Sequence, residues 1–316
     1  MILGTTFDPQ YCKSLNLDPL DTLEKLIELE LNPIRIGVKW SEVEKRKDEY
    51  TWREYYEIFE ILQNNKIEII PVIGIKVPRW PEVYIPDYLE FDKKDNYTIS
   101  ARDEFLKKRL FKFLKELISH YQKLKNVKCV QIENEPLIRF GPKNWKLSYE
   151  FLEEEVELVR KLWKKPILLT TSGLPTTGLP VEIINGGLKA KLNIGKLADC
   201  IGLNVFPRFE IKKLGKVTYA NASNTSWQYL NYWFNRYTKL GKECIVTELQ
   251  AEPWQSKDWN YGDPKGNPSC TTEMVKSYIK KLREIGFKKS LVWGTEFHVA
   301  CKEKGNEEWV NVIHDT

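Results

Sequence analysis

Strand-like and helix-like runs alternate along this chain eight times, and that alternation restricts the available folds more than any single motif does. Short apolar runs read as strands over Ile2–Phe7, Pro33–Val38, Ile67–Ile73, the run that ends before Asn134, Ile167–Thr171, Cys200–Val205, Glu243–Glu248 and Ser290–Trp293. Amphipathic stretches separate them: Asp18–Leu31, Thr51–Asn64, Ala101–Leu124, Tyr149–Trp163, a weaker Val181–Leu192, Thr225–Leu240 and Thr271–Ile285, with a short tail helix over Glu307–Ile313. Asp18 or Asp21 is placed to cap the first helix, and Gly286 to end the seventh. Strands joined through helices form parallel sheets, and eight repeats favour an α/β fold of the closed (β/α)8 TIM-barrel type over an open doubly wound sheet. The 316 residues suit one such barrel with a few insertions, and no linker or low-complexity run interrupts them, so 1–316 is expected to be a single domain. No GxGxxG or GxxxxGK[ST] follows any strand, which disfavours nucleotide binding.

Hydrophobic residues make up 42% of the chain, enough for a sizeable core. The 49 basic and 44 acidic residues are interspersed and sum to +5, with no arginine-rich arm or basic tail, so nucleic acid is not an expected partner. No apolar run approaches the roughly 20 residues of a membrane span, and no membrane association is expected. No basic segment with a long apolar run follows Met1, so the chain as given is expected to be cytoplasmic; a leader removed beforehand leaves secretion open. Six cysteines in a chain this long do not form a disulfide framework. Cys129, Cys200 and Cys244 read as small buried hydrophobes, and a Cys270–Cys301 bridge has no spacing argument behind it. No CxxC motif or histidine cluster suggests a metal, and no metal or organic cofactor is expected.

Two strands end in glutamate. The run Val130-Gln131-Ile132-Glu133-Asn134-Glu135-Pro136 stops at a proline that a central ladder does not accept, and Glu243–Glu248 closes on Thr247-Glu248. A carboxylate at the exit of a buried strand is costly unless it is used. In a barrel the C-terminal ends of the strands carry the site, and strands four and seven face each other across its mouth. Cleavage of a glycosidic bond with retention needs two carboxyl groups about 5–5.5 Å apart, one to attack and one to give and later take a proton. Glu135 and Glu248 are the candidates. Glu133 alternates with Glu135 across Asn134 and is a candidate supporting group, whereas Glu252 and Glu296 read as loop residues.

Asn134-Glu135-Pro136 together with Thr247-Glu248 resembles the retaining glycoside hydrolases of clan A, nearest to family 5, the cellulase and mannanase family. Arg35 in strand two, Trp40-Ser41-Glu42-Val43-Glu44 with Tyr50-Thr51-Trp52, and Trp293 at the end of strand eight extend the resemblance over residues 4–295. It implies Glu135 as acid/base, Glu248 as nucleophile, Asn134 as a partner of the sugar 2-hydroxyl, Arg35 beside the nucleophile and Trp293 beneath the sugar. One position departs. Where the family often has His-x-Tyr at strand six, this chain has Asn204-Val205-Phe206, which supplies no hydroxyl to the nucleophile. Gln250 and Arg35 are the alternative donors, and Asn204 is a candidate sugar contact. Lys76 stands near the place of a histidine expected after strand three.

Eleven tryptophans are many for this length. Trp163 lies in a helical run and reads as core, while Trp80, Trp254 and Trp293 follow strands three, seven and eight and so belong to the site face. Sugar rings present apolar C–H faces that pack on indole, which suits these three to a carbohydrate cleft. The expected partner is a carbohydrate, with the oligomeric state open. A catalytically silent carbohydrate-binding barrel is the alternative, kept by Phe206. A barrel acting on phosphorylated metabolites is disfavoured, because the loop Gln250-Ala251-Glu252-Pro253-Trp254 is acidic and aromatic rather than glycine-rich.

Overall fold

The computed structural model of the chain describes residues 1–92, 97–175, 187–213, 216–253 and 269–315. Eight strands form its sheet: β1 (Ile2–Phe7), β2 (Ile34–Gly37), β3 (Ile69–Ile73), β4 (Val130–Ile132), β5 (Ile167–Ser172), β6 (Cys200–Val205), β7 (Glu243–Gln250) and β8 (Lys289–Trp293). They neighbour one another in chain order, and β1 pairs with β8, so the sheet closes into the expected (β/α)8 barrel. The strands are nearly all apolar and buried on both faces, as parallel strands under a helical layer must be; β2, β3, β4 and β6 carry no exposed residue.

The chain gathers into two compact units, Met1–Ile34 with Ser172–Glu182 and Leu203–Thr316, and Arg35–Thr171 with Ile183–Gly202. In the first, β1 and β8 run parallel from Ile2↔Lys289 to Thr6↔Trp293. There β7 pairs with β8 through Val246↔Ser290 and Leu249↔Val292, with a register shift between Val246 and Leu249. In the second unit β3 pairs with β4 through Val72↔Gln131 and Ile73↔Ile132, and β4 with β5 through Val130↔Ile167.

Local chemistry accounts for the helix ends. The Asp18 carboxylate accepts the N–H groups of Leu20 and Asp21 and starts helix Pro19–Glu28. Ser148 caps Tyr149–Leu162 through Phe151 N–H, and Thr271 caps Thr272–Ile285 through Met274 N–H. The latter helix stops at Gly286, whose φ of 109° a side chain would resist. Helices Arg53–Asn64, Glu104–Tyr121 and Asn224–Lys239 fall within one to three residues of their expected limits. The weaker helix lies at Gly187–Leu197; the expected start at Val181 falls outside the described residues.

Several described elements were not expected. Helices Pro9–Ser14 and Thr295–Glu303 follow β1 and β8 directly, Arg208–Lys213 and Lys216–Asn221 form an antiparallel hairpin after β6, and Thr98–Ile99 pairs with Lys146–Leu147. Glu296 therefore lies in a helix and not in a loop, and is fully buried. Cys270 and Cys301 are separate buried thiols, not a bridge. Cys129 is only half-buried, unlike Cys200 and Cys244. Among the described residues no helix is long and apolar enough to cross a membrane.

Candidate active site

The exit of β4 is built around two glutamates in an unusual backbone. The strand ends at Ile132 after three residues, and Glu133 and Glu135 both take positive φ, 58° and 44°. A non-glycine residue there costs on the order of 1–3 kcal/mol and persists only where its surroundings enforce it. Here they do. Glu133 is completely buried, and its carboxylate accepts Ile75 N–H at 2.7 Å and Lys76 N–H at 2.5 Å from the exit of β3. Gly74 makes that approach possible, since a Cβ at this residue would fall on the Glu133 carboxylate. Glu133 N–H donates to Ile73 O at 2.8 Å and Asn134 N–H to Lys76 O at 2.7 Å. The Lys76 ammonium, wholly buried, donates to the carbonyls of Glu135 at 3.0 Å and Ile138 at 2.9 Å. Lys76, met in the sequence only as a residue near an expected histidine, thus ties the β3 and β4 exits together.

Asn134 and Glu135 are oriented from β2, β4 and β5. Arg35 is completely buried and donates through Nε to Gln131 Oε1 and through Nη2 to Asn134 Oδ1, each at 2.8 Å. Gln131 Nε2 donates to Glu133 O at 2.8 Å and to Thr170 Oγ1 at 3.3 Å. That hydroxyl accepts Glu135 N–H at 2.9 Å and donates to Asn134 Oδ1 at 3.2 Å. The cluster fixes the Asn134 amide and the Glu135 backbone while leaving the Glu135 residue half-buried. Gln131 and Thr170 escaped the sequence reading; a polar residue inside an apolar strand run was the available signal.

Electrostatically this region is dominated by burial. Desolvation raises the Glu133 carboxyl to about 7, opposed by the N–H groups of Ile75 and Lys76 and by the Lys76 charge. Glu155, on helix Tyr149–Leu162, is also completely buried and is pushed well above the usual carboxylate range, first by burial and then by the neighbouring Glu133 charge.

In the other unit, Glu248 sits on β7, 4% exposed, within the register shift between Val246 and Leu249. Such irregularities re-aim side chains and are frequent beside sites. Thr247 Oγ1 donates to Asn204 Oδ1 of β6 at 2.7 Å. Gln250 is completely buried; its oxygen accepts Arg208 N–H at 3.0 Å and its Nε2 donates to Ser269 O at 3.1 Å. Its amide thus clamps the chain after β6 to the chain before helix Thr272–Ile285. Trp293, half-buried at the end of β8, meets Phe206 edge to face at 6.2 Å. Glu252 is buried and accepts the Tyr11 hydroxyl at 2.6 Å, and Glu296 accepts Asp8 N–H at 2.8 Å. Both carboxyls have defined partners around the helix after β1, which the sequence did not reveal.

The aromatic expectations divide. Trp163 is buried, as expected of core. Trp80 is 67% exposed and meets Phe140, 48% exposed, edge to face at 6.4 Å. Trp254 lies outside the described residues. Trp40 and Trp52 both stack on Phe113, at 5.5 and 6.1 Å, and Trp40 Nε1 donates to the buried Glu44 at 2.7 Å, so this segment of the resemblance is packing. Among the described residues no cluster of three or more His, Cys, Asp or Glu side chains is arranged to hold a metal.

No family model matches the chain, and no curated protein matches it in sequence. Solved structures do match. GH5_18 from Bifidobacterium longum subsp. longum, in complex with Manβ1-4GlcNAc, superposes with a TM-score of 0.63 at 12% identity, over 100% of this chain and 78% of its own. A β-galactosidase from the haloarchaeon Halorubrum lacusprofundi gives 0.61 at 9%, over 99% of this chain and 57% of its own. The intracellular xylanase TsXylA of Thermoanaerobacterium saccharolyticum, with xylotriose, gives 0.57 at 14%, over 93% and 86%. This chain thus spans little more than half the length of the β-galactosidase. At these identities the likeness establishes the barrel architecture.

Proposed function

We propose that the chain is a retaining β-glycoside hydrolase of the clan A type, acting on a β-linked glucan, mannan or related oligosaccharide without a metal or organic cofactor. The observation that carries this reading is the preparation of the Asn134-Glu135 pair. A buried arginine, a glutamine and a threonine from three strands hold the amide and the backbone of the one strand-exit glutamate that keeps partial solvent access. The second glutamate, Glu248, is buried at the irregularity of β7. Barrel neighbours that are a galactosidase and a xylanase support the reading.

In the proposed reaction the Glu248 carboxylate attacks the anomeric carbon while the Glu135 carboxyl transfers its proton to the departing glycosidic oxygen. The C–O bond breaks and a glycosyl ester of Glu248 forms. Glu135, now a carboxylate, removes a proton from water, which displaces Glu248 and returns both groups to their starting states. Asn134 meets the sugar 2-hydroxyl, and Trp293 with Trp80 supplies apolar faces. Arg35 and Gln250, both completely buried, act by positioning rather than by touching the sugar. Asn204 holds Thr247 next to Glu248, which gives it a comparable part.

Glu135→Gln should retain most turnover of an aryl glycoside whose leaving group needs no proton, and lose that of an alkyl or sugar glycoside by about 10²–10⁴-fold. Glu248→Ala should lose both, and azide should rescue it to a glycosyl azide of inverted configuration. Equal loss on both substrates in Glu135→Gln contradicts the acid/base assignment. Phe206, which offers no hydroxyl near β7, favours a second reading as a silent carbohydrate-binding barrel; saturable sugar binding without turnover by the parent chain supports that alternative.

A further inference from the structure

Glu133 and Glu155 are both completely buried, and the reaction proposed above uses neither. Glu133 has two backbone N–H donors. Both oxygens of Glu155 are buried without an N–H or hydroxyl donor, and Glu133 is the neighbouring charged group that acts on its carboxyl. Two ionised carboxylates side by side in the interior only accept and repel each other, so one of them keeps its proton. The donors decide which group carries it. Glu133, with two N–H groups and the charge of Lys76, is the carboxylate; Glu155, with burial and no donor, is the acid.

We propose that Glu155 donates its proton as a hydrogen bond to the Glu133 carboxylate, and that this pair is the positioning device holding the β4 exit, and with it Glu135, in its strained form. Glu133 has three anchors to the β3 exit: its carboxylate on Ile75 and Lys76 N–H, its own N–H on Ile73 O, and the room left by Gly74. Of the charged groups on neighbouring elements, Lys76 acts on Glu133. Helix Glu104–Tyr121 contributes Lys107, which is bonded to Glu104 and Glu154, and helix Gly187–Leu197 contributes the buried Lys191. Loss of the shared proton would leave two buried carboxylates against the single charge of Lys76, and the carboxyl that pins the loop would be driven off. The pair therefore keeps the fold proton-loaded. Because burial raises the folded Glu155 above the unfolded glutamate value of 4.5, the contribution of its proton to stability is complete below 4.5 and is lost as pH rises through the raised folded value.

Only the catalytic consequence of this pair depends on the reading of Glu135 as acid/base, so the test uses two readouts that need no substrate. Infrared spectra of the full chain in heavy water at neutral pH should show a buried protonated carboxyl band that is lost in Glu155→Gln. The amide proton signals of Ile75 and Lys76 should titrate with that band in the parent. In Glu155→Gln, whose amide N–H replaces the shared proton permanently, they should stay fixed to alkaline pH. Glu155→Leu, which offers no donor, should lose at least about tenfold on the disaccharide and less on a nitrophenyl glycoside. Absence of the protonated band, or amide titrations identical in parent and Glu155→Gln, overturns the proposal. Absence of turnover by the parent with the band and amide shifts as expected sinks the glycosidase reading and upholds the pair.

Discussion

Arg35 Nη2 donates to Asn134 Oδ1 at 2.8 Å while its Nε holds Gln131, so one buried guanidinium of β2 orients two residues of the β4 segment at once. The planar fork of arginine suits this double duty, and the single ammonium of lysine does not. Arg35→Lys should therefore cost about 1.5–3 kcal/mol of stability, the range for a charge-assisted bond lost from a buried site. It should also lower kcat on unactivated glycosides by more than it changes KM, because the damage falls on the placement of Asn134 and Glu135. Denaturant unfolding and steady-state kinetics on the same preparation test both parts.

Gly74→Ala places a methyl against the Glu133 carboxylate at a residue whose φ is 125°. Backbone strain alone should remove about 1–3 kcal/mol, and the displaced carboxylate adds to it. The expected signature is a lowered Tm together with altered amide signals at Ile75 and Lys76. An unchanged Tm would contradict the close packing described for the β3 exit.

His298, in helix Thr295–Glu303, is completely buried and donates through Nε2 to Ala251 O at 2.7 Å. Burial holds the imidazole neutral and lowers its pKa to about 4. The unfolded chain takes up a proton near 6.5 and the folded chain does not, so this contribution to stability is whole above pH 6.5 and is lost as pH falls through 4. The full swing is about 3 kcal/mol. His298→Gln, which keeps a donor for Ala251, should flatten the acid side of a plot of unfolding free energy against pH.

Much of the barrel was legible because its signal is repeated. Each buried strand is a short apolar run, and several helices begin at a side-chain cap, among them those at Asp18, Ser148 and Thr271. The helices Pro9–Ser14 and Thr295–Glu303 were hidden for physical reasons: the first has only six residues, too few to show a period, and the second is buried at seven of its nine positions, so no polar face marks it. At the site, the glutamates announced themselves as charges closing apolar strands. Their supports did not. Nothing in the spacing of Gly74, Lys76, Gln131, Thr170 and Glu155 shows that they meet at one strand exit, because the hydrogen bonds that build that exit join residues 35–99 positions apart. Phe140 became visible only when its ring was found against Trp80.

The proposed role of Trp80 as a sugar platform makes a separate prediction. Its ring is 67% exposed, so Trp80→Ala should leave Tm nearly unchanged. It should raise KM for oligosaccharides by about fivefold to thirtyfold, equivalent to about 1–2 kcal/mol of stacking, and leave kcat on a short aryl glycoside near the parent value. Phe140→Ala should follow in the same direction with a smaller effect.

Trapping of the glycosyl ester tests the proposed mechanism most directly. Incubation with 2-deoxy-2-fluoro aryl β-glycosides, chosen from the sugars that the parent chain hydrolyses, should inactivate the protein with one fluorosugar per chain. Peptide mass spectrometry should place that sugar on Glu248, and Glu248→Gln should take up none. Hydrolysis of the parent glycosides with the label on another residue, or with inversion at the anomeric carbon, contradicts the account.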